Sequence, residues 1–271
     1  MLKTLLADLL RRSKRPKLSV IICSIDDAKF ERVASNYATF LAPINHELIR
    51  IDDAQSLAEG YNRGIGLSQG EFLVFSHDDI EILSSDFCER LIWHLSEFDI
   101  VGVAGTSRVI DGCWISAGQP SIHGQVVQPM NEDSGVALHI YGKDGVTCAG
   151  IQALDGLFIA ARRRAAETVR FDAKFFDGFH VYDIDFTFRA YLANFRIAVC
   201  NDLLLYHQSL GTWDDKWRHY MQVFARKFAG RVSSDPRGAP HFWKIALPSK
   251  SAARDAYETR LQKISAKGAH I

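Results

Sequence analysis

The stretch Phe72-Leu73-Val74-Phe75-Ser76-His77-Asp78-Asp79-Ile80 decides the fold. Its apolar first half reads as a buried strand, and it stops abruptly in three side chains able to hold a metal. Carboxylate oxygens suit hard divalent cations such as Mg²⁺ and Mn²⁺. In open α/β sheets ligands sit beyond the carboxyl ends of the strands, and the Asp pair falls at that end. Taken alone, Asp78 and Asp79 read more readily as a turn or a helix cap, the usual work of Asp after a strand. The rest of the chain reverses that weighting.

Upstream, Leu18-Ser19-Val20-Ile21-Ile22-Cys23 is a β-branched apolar run bounded by polar residues, again a buried strand. Residues 26–41 place Phe30, Val33, Ala34, Tyr37 and Leu41 at helical spacing, and Pro43 ends that helix. A second strand over 47–51 closes in Asp52-Asp53. A helix over 56–68, with Leu57, Tyr61 and Ile65 on one face, stops at Gly70 and leads into the strand that opens the decisive stretch. Downstream, 85–98 reads as a helix and 100–104 as a strand. Strands and helices alternating through short joints mean a parallel sheet with crossover helices, so the part up to about residue 105 is a nucleotide-binding type of half-fold.

The pattern breaks over 106–150, a segment rich in Gly, Ser, Gln and His. A stretch of that length inside a compact domain is either functional or conceals short hairpins. Regularity returns at 154–161. A helix over 182–194 carries Ile184, Phe188, Tyr191 and Leu192 on one face. Short strands follow over 196–200 and 203–207, then closing helices over 213–229 and 251–265.

The 271 residues suffice for one large α/β domain or one and a half ordinary ones. A hydrophobic fraction of 47% with 24% charged residues is that of a soluble globular protein. The formal net charge of +0 supplies no basic field, so nucleic acid is not an expected partner. Five scattered cysteines without CxxC spacing argue against a disulfide framework and a structural zinc site, and suit a reducing cytosol. No apolar run reaches the ~20 residues of a membrane span.

Residues 1–17 differ from the rest. Leu2, Leu5, Leu6, Leu9 and Leu10 form an amphipathic helical stripe, followed by Arg11, Arg12, Lys14, Arg15 and Lys17. The basic cluster follows the apolar part, which excludes a signal peptide. Peripheral contact with an anionic membrane is one reading. Packing on the domain or on a neighbouring module is the favoured one. The expected organisation is therefore an N-terminal basic helix (1–17), a main α/β domain (18–230, with a nucleotide-binding half 18–105 and a second half 106–230) and a C-terminal helical extension (231–271).

Four metal-competent clusters each fall where a strand or loop ends: Asp52-Asp53, His77-Asp78-Asp79, Asp183 with Asp185, and His207. With them the chain resembles the family-2 glycosyltransferases of the GT-A fold, from about residue 18 to residue 213. The opening strand Ser19-Val20-Ile21-Ile22, the pair after Ile51, the segment Tyr61-Asn62-Arg63-Gly64-Ile65 and the metal motif at His77-Asp78-Asp79 stand in that family's order. So do the acceptor loop Leu154-Asp155-Gly156-Leu157-Phe158, the pair Phe171-Asp172 and the acidic motif Tyr182-Asp183-Ile184-Asp185. No one piece is specific; their order and spacing together are. Two positions depart from the family pattern. His77 stands where the metal motif usually has its first Asp, and Tyr182 stands where the acidic motif often has Glu.

The resemblance implies a GT-A-like α/β fold, a mostly parallel central sheet flanked by helices. It also implies an inverting, metal-dependent glycosyltransferase using a nucleoside-diphosphate sugar, UDP-type first. The implied acceptor is a glycan or glycolipid of bacterial surface-polysaccharide synthesis. The implied setting is the cytosol, with the N-terminal helix available to the inner face of the membrane. A divalent cation, Mn²⁺ or Mg²⁺, would be held by Asp79 and by His207, since neutral imidazole is a ligand for Mn²⁺-like ions. Such a cation would stabilise the diphosphate leaving group. Asp183 is the expected general base, with Asp185 as its alternate and helix capping as the competing role for either. Ser24, Asp52, Asp53, Asn62, Arg63, His77 and Asp78 are the expected nucleotide-sugar contacts, with Ser24, Asp53 and Asn62 lining one cleft. For Asp52 and Asp53 the competing reading is a turn or cap, and for Asn62 and Arg63 a solvated helix face. Trp114, Asp155 and Gly156 are the expected acceptor contacts, whereas Trp213 and Trp217 read as core.

Two other functions fit the pattern less well. A nucleotidyltransferase needs a Gly-rich, basic phosphate loop near the first strand, and Cys23-Ser24-Ile25-Asp26-Asp27 is neither. A glycosyltransferase-like module that binds without turnover is suggested by the His at position 77, but the presence of Asp79 and Asp183 counts against it.

Overall fold

The computed structural model describes residues 17–130, 135–142, 145–211, 213–239 and 241–268. The expected helix over residues 1–17 lies almost wholly outside these. Strand β1 (Leu18–Cys23) has five of its six residues buried, as a central parallel strand covered on both faces requires. It pairs in parallel with β2 (His46–Ile51) and with β3 (Phe72–Ser76). Between them run α1 (Asp27–Phe40) and α2 (Leu57–Leu67), capped by the side chains of Asp26 and Ser56. Helix α2 lies unusually close to β1. A Cβ on Gly64 would come within 2.2 Å of Ile21, and one on Gly60 within 2.6 Å of the Cys23 sulfur.

Strands β4 (Ile80–Ile82), β5 (Ile100–Gly102) and β6 (Ala104–Thr106) follow, with α3 (Phe87–Glu97) between β4 and β5. A short 3₁₀ turn at Trp114–Ala117 precedes β7 (Ile122–Pro129), β8 (Val136–Tyr141), β9 (Thr147–Ala149), β10 (Ala153–Leu154) and β11 (Phe158–Arg162). Then come α4 (Arg163–Val169), α5 (Tyr182–Leu192), β12 (Ile197–Cys200), β13 (Leu205–His207), α6 (Asp215–Lys227), β14 (Trp243–Leu247) and α7 (Lys250–Gly268).

The first sheet has the order β2-β1-β3-β11-β5-β12-β9. Strands β2, β1, β3, β5 and β12 run one way, and β11 and β9 the other, so the sheet is mostly parallel. The second has the order β10-β6-β7-β13-β4, extended by β8 and β14. Its neighbours are antiparallel except for a single parallel pairing of β13 with β7. The 106–150 segment thus conceals hairpin strands, and residues beyond 230 supply a strand before their helix. That helix closes a second apolar cluster, in which Ala253, Tyr257 and Leu261 pack with Leu83, Leu138 and Leu204. Among the described residues no helix is long and apolar enough to cross a membrane.

Candidate active site

The antiparallel register of β4 with β13 builds the centre of the site. It sets His207 opposite Ile80, so the last residue of β13 lies beside the Asp79 that precedes β4. Asp79 then holds the chain leaving β13. Its carbonyl accepts from the Gln208 amide at 3.0 Å and its carboxylate from the Ser209 amide at 3.1 Å. His207 Nε2 is 3.4 Å from Asp79 Oδ1 and 3.4 Å from His77 Nδ1. His77 Nδ1 is 3.9 Å from the same Asp79 oxygen. Side chains 130 positions apart in sequence therefore meet at one point. Asp78 turns the other way and accepts from the Ser24 hydroxyl at 2.7 Å, tying the end of β3 to the end of β1.

The second half of the site is the start of α5. Val181 precedes it in the left-handed region, at φ 64°, an uncommon conformation for a β-branched residue. Asp183 lies in the first turn, and its Oδ2 accepts from the Gly156 amide at 2.7 Å. Gly156 has to be glycine there: a Cβ would approach the Tyr182 hydroxyl to 2.4 Å and Asp183 Cβ to 2.9 Å. Asp155 accepts from Trp114 Nε1 at 2.6 Å and from the Leu157 amide at 3.0 Å. Tyr182 reaches back to the centre, its hydroxyl 2.9 Å from His77 Nε2 and 3.4 Å from the Gly156 carbonyl.

Among the described residues three cavities border this centre, and two of them reach His77. One of about 340 Å³ lies beyond the ends of β1 and β2, between Ser24, Ile51, Ala54 and Leu57, and is bounded by His77, Asp78 and Asp79. The other, of about 280 Å³, is lined by Trp114, Asp155, Gly156, Tyr182, Asp183 and Trp213, and is bounded by His77 and His207. Their shared wall contains His77, Ser209 and Phe179.

Several expected contacts lie elsewhere. Both ends of the Asn62 side-chain amide are used on the Phe171 backbone, at 2.8 and 3.0 Å, which pins a loop and keeps Asn62 out of the cleft. Asp53 and Arg63 pair with each other on the surface, Arg63 also with Glu59, and Asp52 is exposed past the end of β2. None of these four lines the cavity beside Ser24. Asp185 is fully buried and faces away from both cavities, its oxygens held by Arg189 at 2.8 Å and by Lys227. That burial and pairing leave it no substrate to touch, which corrects its expected place as the alternate base. Trp213, expected in the core, is 55% exposed at the cavity mouth. Phe179, 57% exposed on the wall between the cavities, was not anticipated. It sits in the stretch Phe175-Phe176-Asp177-Gly178-Phe179-His180-Val181, an aromatic cluster before Tyr182 with neither strand nor helix period.

The electrostatics separate the two carboxylates. Burial works to raise Asp79, yet the hydrogen bond and charge of His207, with His77 and Ser209, hold its carboxyl well below the usual range. Burial, and next the charge of His207, push the His77 imidazole below its ordinary value. Burial first, then repulsion from Asp155, raises Asp183 to about 7. One carboxylate is thus firmly ionised and the other is poised near neutrality, a division seen where one site holds charge and moves protons. The ligand atoms of His77, Asp79 and His207 all lie within 4.8 Å of one another. Two imidazoles and an ionised carboxylate converging in this way fit a divalent cation.

The model of a family described as glycosyltransferase-like matches residues 19–228. The chain belongs to this glycosyltransferase-like family. The match takes in both cavities and the whole of the His77, Asp79, Asp183 and His207 group. Among solved structures, this glycosyltransferase is similar to the mannosyltransferase PcManGT from Pyrobaculum calidifontis in complex with GDP-Man and Mn²⁺. The two are 13% identical, with a TM-score of 0.49 over 97% of this chain and 79% of that one. It is similar also to S. aureus TarS in complex with UDP-GlcNAc, at 12% identity and a TM-score of 0.48, over 92% of this chain and 71% of that one. No curated protein sequence matches.

Proposed function

We propose that this family member transfers a sugar, with inversion, from a nucleoside-diphosphate sugar to a hydroxyl of a glycan or glycolipid, using a divalent cation. The observation that carries this reading is the placement of the His77–Asp79–His207 group between two cavities, with Asp183 on the far wall of one. The cavity beside Ser24 takes the nucleotide, its Ile51, Ala54 and Leu57 walls suited to a flat base and UDP the first candidate. Asp78, held by Ser24, closes its floor. A divalent cation held by Asp79 and His207 would supply charge neutralisation for a departing diphosphate.

The second cavity takes the acceptor. Trp114 is anchored by Asp155, and exposed Trp213 offers an aromatic face to a sugar ring. Asp183 takes the proton of the attacking hydroxyl. Its raised pKa gives it more basicity than an ordinary carboxylate, and the Gly156 amide fixes its direction. Attack from the Asp183 side, opposite the diphosphate, inverts the anomeric centre. Bacterial surface polysaccharide on the cytosolic side of the membrane remains the setting proposed from the sequence motifs.

A thermal-shift panel of nucleoside-diphosphate sugars with and without Mn²⁺ tests the reading. The expected result is a rise in melting temperature with one donor class that depends on the cation. Failure of every nucleotide sugar to stabilise the protein with any divalent cation overturns it.

A further inference from the structure

The two positions at which this chain departs from the pattern of its motifs, His77 and Tyr182, are in contact. The imidazole Nε2 and the phenol oxygen are 2.9 Å apart, although the residues are 105 positions apart in sequence. The Tyr182 hydroxyl has its own acceptor in the Gly156 carbonyl at 3.4 Å, which leaves its oxygen free to accept from His77 Nε2–H. In that tautomer Nδ1 carries the lone pair, and Nδ1 is the nitrogen that faces Asp79 and His207.

The three facing atoms form a triangle with sides of 3.4, 3.4 and 3.9 Å. Ligands bound to one ion at about 2.0–2.2 Å lie roughly 3–3.6 Å from one another. The triangle is thus close to the size that a single ion requires, with only the His77–Asp79 side needing to shorten. Asp78 is directed at Ser24 and takes no part.

We propose that His77 Nδ1 joins Asp79 and His207 as the third protein ligand of the cation, that Tyr182 is the positioning residue that fixes its tautomer, and that this set favours nitrogen-accepting ions over Mg²⁺. The proposal rests on the reading that the site holds a cation, and it names which one. Two imidazoles and one carboxylate suit Mn²⁺, Fe²⁺, Co²⁺ or Zn²⁺, with affinity rising along that series. Mg²⁺ sheds water reluctantly and prefers carboxylate oxygens, of which this set offers one. An Asp at position 77 would offer a second. His77 thus exchanges tolerance of Mg²⁺ for selectivity, and Tyr182 plays the part of the outer partner that a ligating His commonly has.

The test uses Co²⁺ as the probe, on the full chain and without nucleotide. Its visible absorption should appear on binding, be displaced by Mn²⁺, and resist Mg²⁺ at concentrations where Mn²⁺ displacement is complete. His77→Ala should weaken cobalt binding and change the band shape. Tyr182→Phe should weaken it roughly 10–100-fold while the melting temperature of the metal-free protein stays near the wild-type value. His77→Asp should let Mg²⁺ compete. An unchanged spectrum in His77→Ala, or equal displacement by Mg²⁺ and Mn²⁺, overturns the proposal. Should the variants not fold, the proton spectrum of the wild-type cobalt protein decides: two far-shifted, solvent-exchangeable ring N–H signals must appear, one for each ligating imidazole, and a single such signal overturns the assignment. A protein that binds cobalt in this way yet takes no nucleotide sugar would keep these ligands and lose the glycosyl-transfer reading, so the two failures are distinguishable.

Discussion

Replacing Asp183 by Asn removes a base while leaving the cavity wall in place. The Asn side-chain oxygen can still accept from the Gly156 amide, the contact that holds Asp183 at 2.7 Å. Donor and cation binding should therefore change little. Transfer should fall by roughly 10²–10⁴-fold, the usual worth of a positioned base, which is about 3–5 kcal/mol of barrier. The pH dependence is the sharper readout. Asp183 must be ionised to accept a proton, and burial with the Asp155 charge raises it to about 7. Wild-type kcat/KM should climb with pH below about 7 and level off above, and Asp183→Asn should lose that inflection. Asp155→Asn, which removes the repelling charge, should move the midpoint to lower pH but not to an ordinary carboxylate value, because burial is the larger cause.

The same pKa makes a claim about stability. The folded value of about 7 exceeds the unfolded one near 3.8, so the native state holds the extra proton between them. Stability from this group is therefore fully present below about pH 4 and is lost as pH rises through about 7. Asparagine does not titrate. Asp183→Asn should thus be more stable than wild type at alkaline pH and gain nothing near pH 4. The ceiling is roughly 4 kcal/mol, and partial exposure of the carboxylate brings the expected gain to about 1–3 kcal/mol. Urea unfolding at about pH 4.5 and about pH 8 measures it. Near-full transfer by Asp183→Asn refutes the assignment of the base. A stability change that is the same at both pH values refutes the electrostatic account of it.

Asp79→Asn should weaken cation-dependent donor binding as well as turnover, because its carboxylate acts through the ion; isothermal titration of a nucleotide with and without Mn²⁺ separates it from Asp183→Asn, which should leave that binding intact. Asp185→Asn should behave as a stability mutant. It weakens the contacts of the buried Asp185 with the partly exposed Arg189 and Lys227, at a cost of about 2–4 kcal/mol, and the folded fraction should keep an unaltered pH profile; loss of transfer at full stability would move the base to that position. Trp213→Ala should raise the acceptor KM with little effect on donor binding or unfolding, since the ring is 55% exposed, and an unchanged KM for every acceptor would remove Trp213 from the acceptor site.

Legibility in the sequence follows the kind of order involved. The β1 and β3 runs and the helices beside them declared themselves because buried parallel strands are continuous apolar runs and helices repeat every 3.6 residues. Strand β4 did not: three residues in an antiparallel edge have no period to read. Strand β14 did not either, its Trp243, Lys244, Ile245 and Ala246 being exposed. Strand β8 did carry a signal, the run Val136-Ala137-Leu138-His139-Ile140-Tyr141, masked by the polar sequence around it. At the site, residue type alone does not give a side chain's partners. Asn62 and Asp185 are of the right types, but tertiary contacts use them structurally, Asn62 on a backbone loop and Asp185 in an ion-paired core position.

The approach of Asp79 to His207 was an expectation drawn from motif order, and its physical cause is the β4–β13 register, in which His207 faces Ile80. A one-residue slip there would turn His207 to the opposite face. The short unreadable strand is therefore what assembles the readable motifs. The His77–Tyr182 contact belongs to the same class. Each residue alone looks like a tolerated departure, and each leaves the site one carboxylate poorer. Together they replace two negative charges by a hydrogen-bonded neutral pair beside an ionised Asp79. A site with fewer carboxylates attracts a hard cation less and a nitrogen-accepting one more. The two departures are thus a single change of donor chemistry, visible only once β3 and the start of α5 stand side by side.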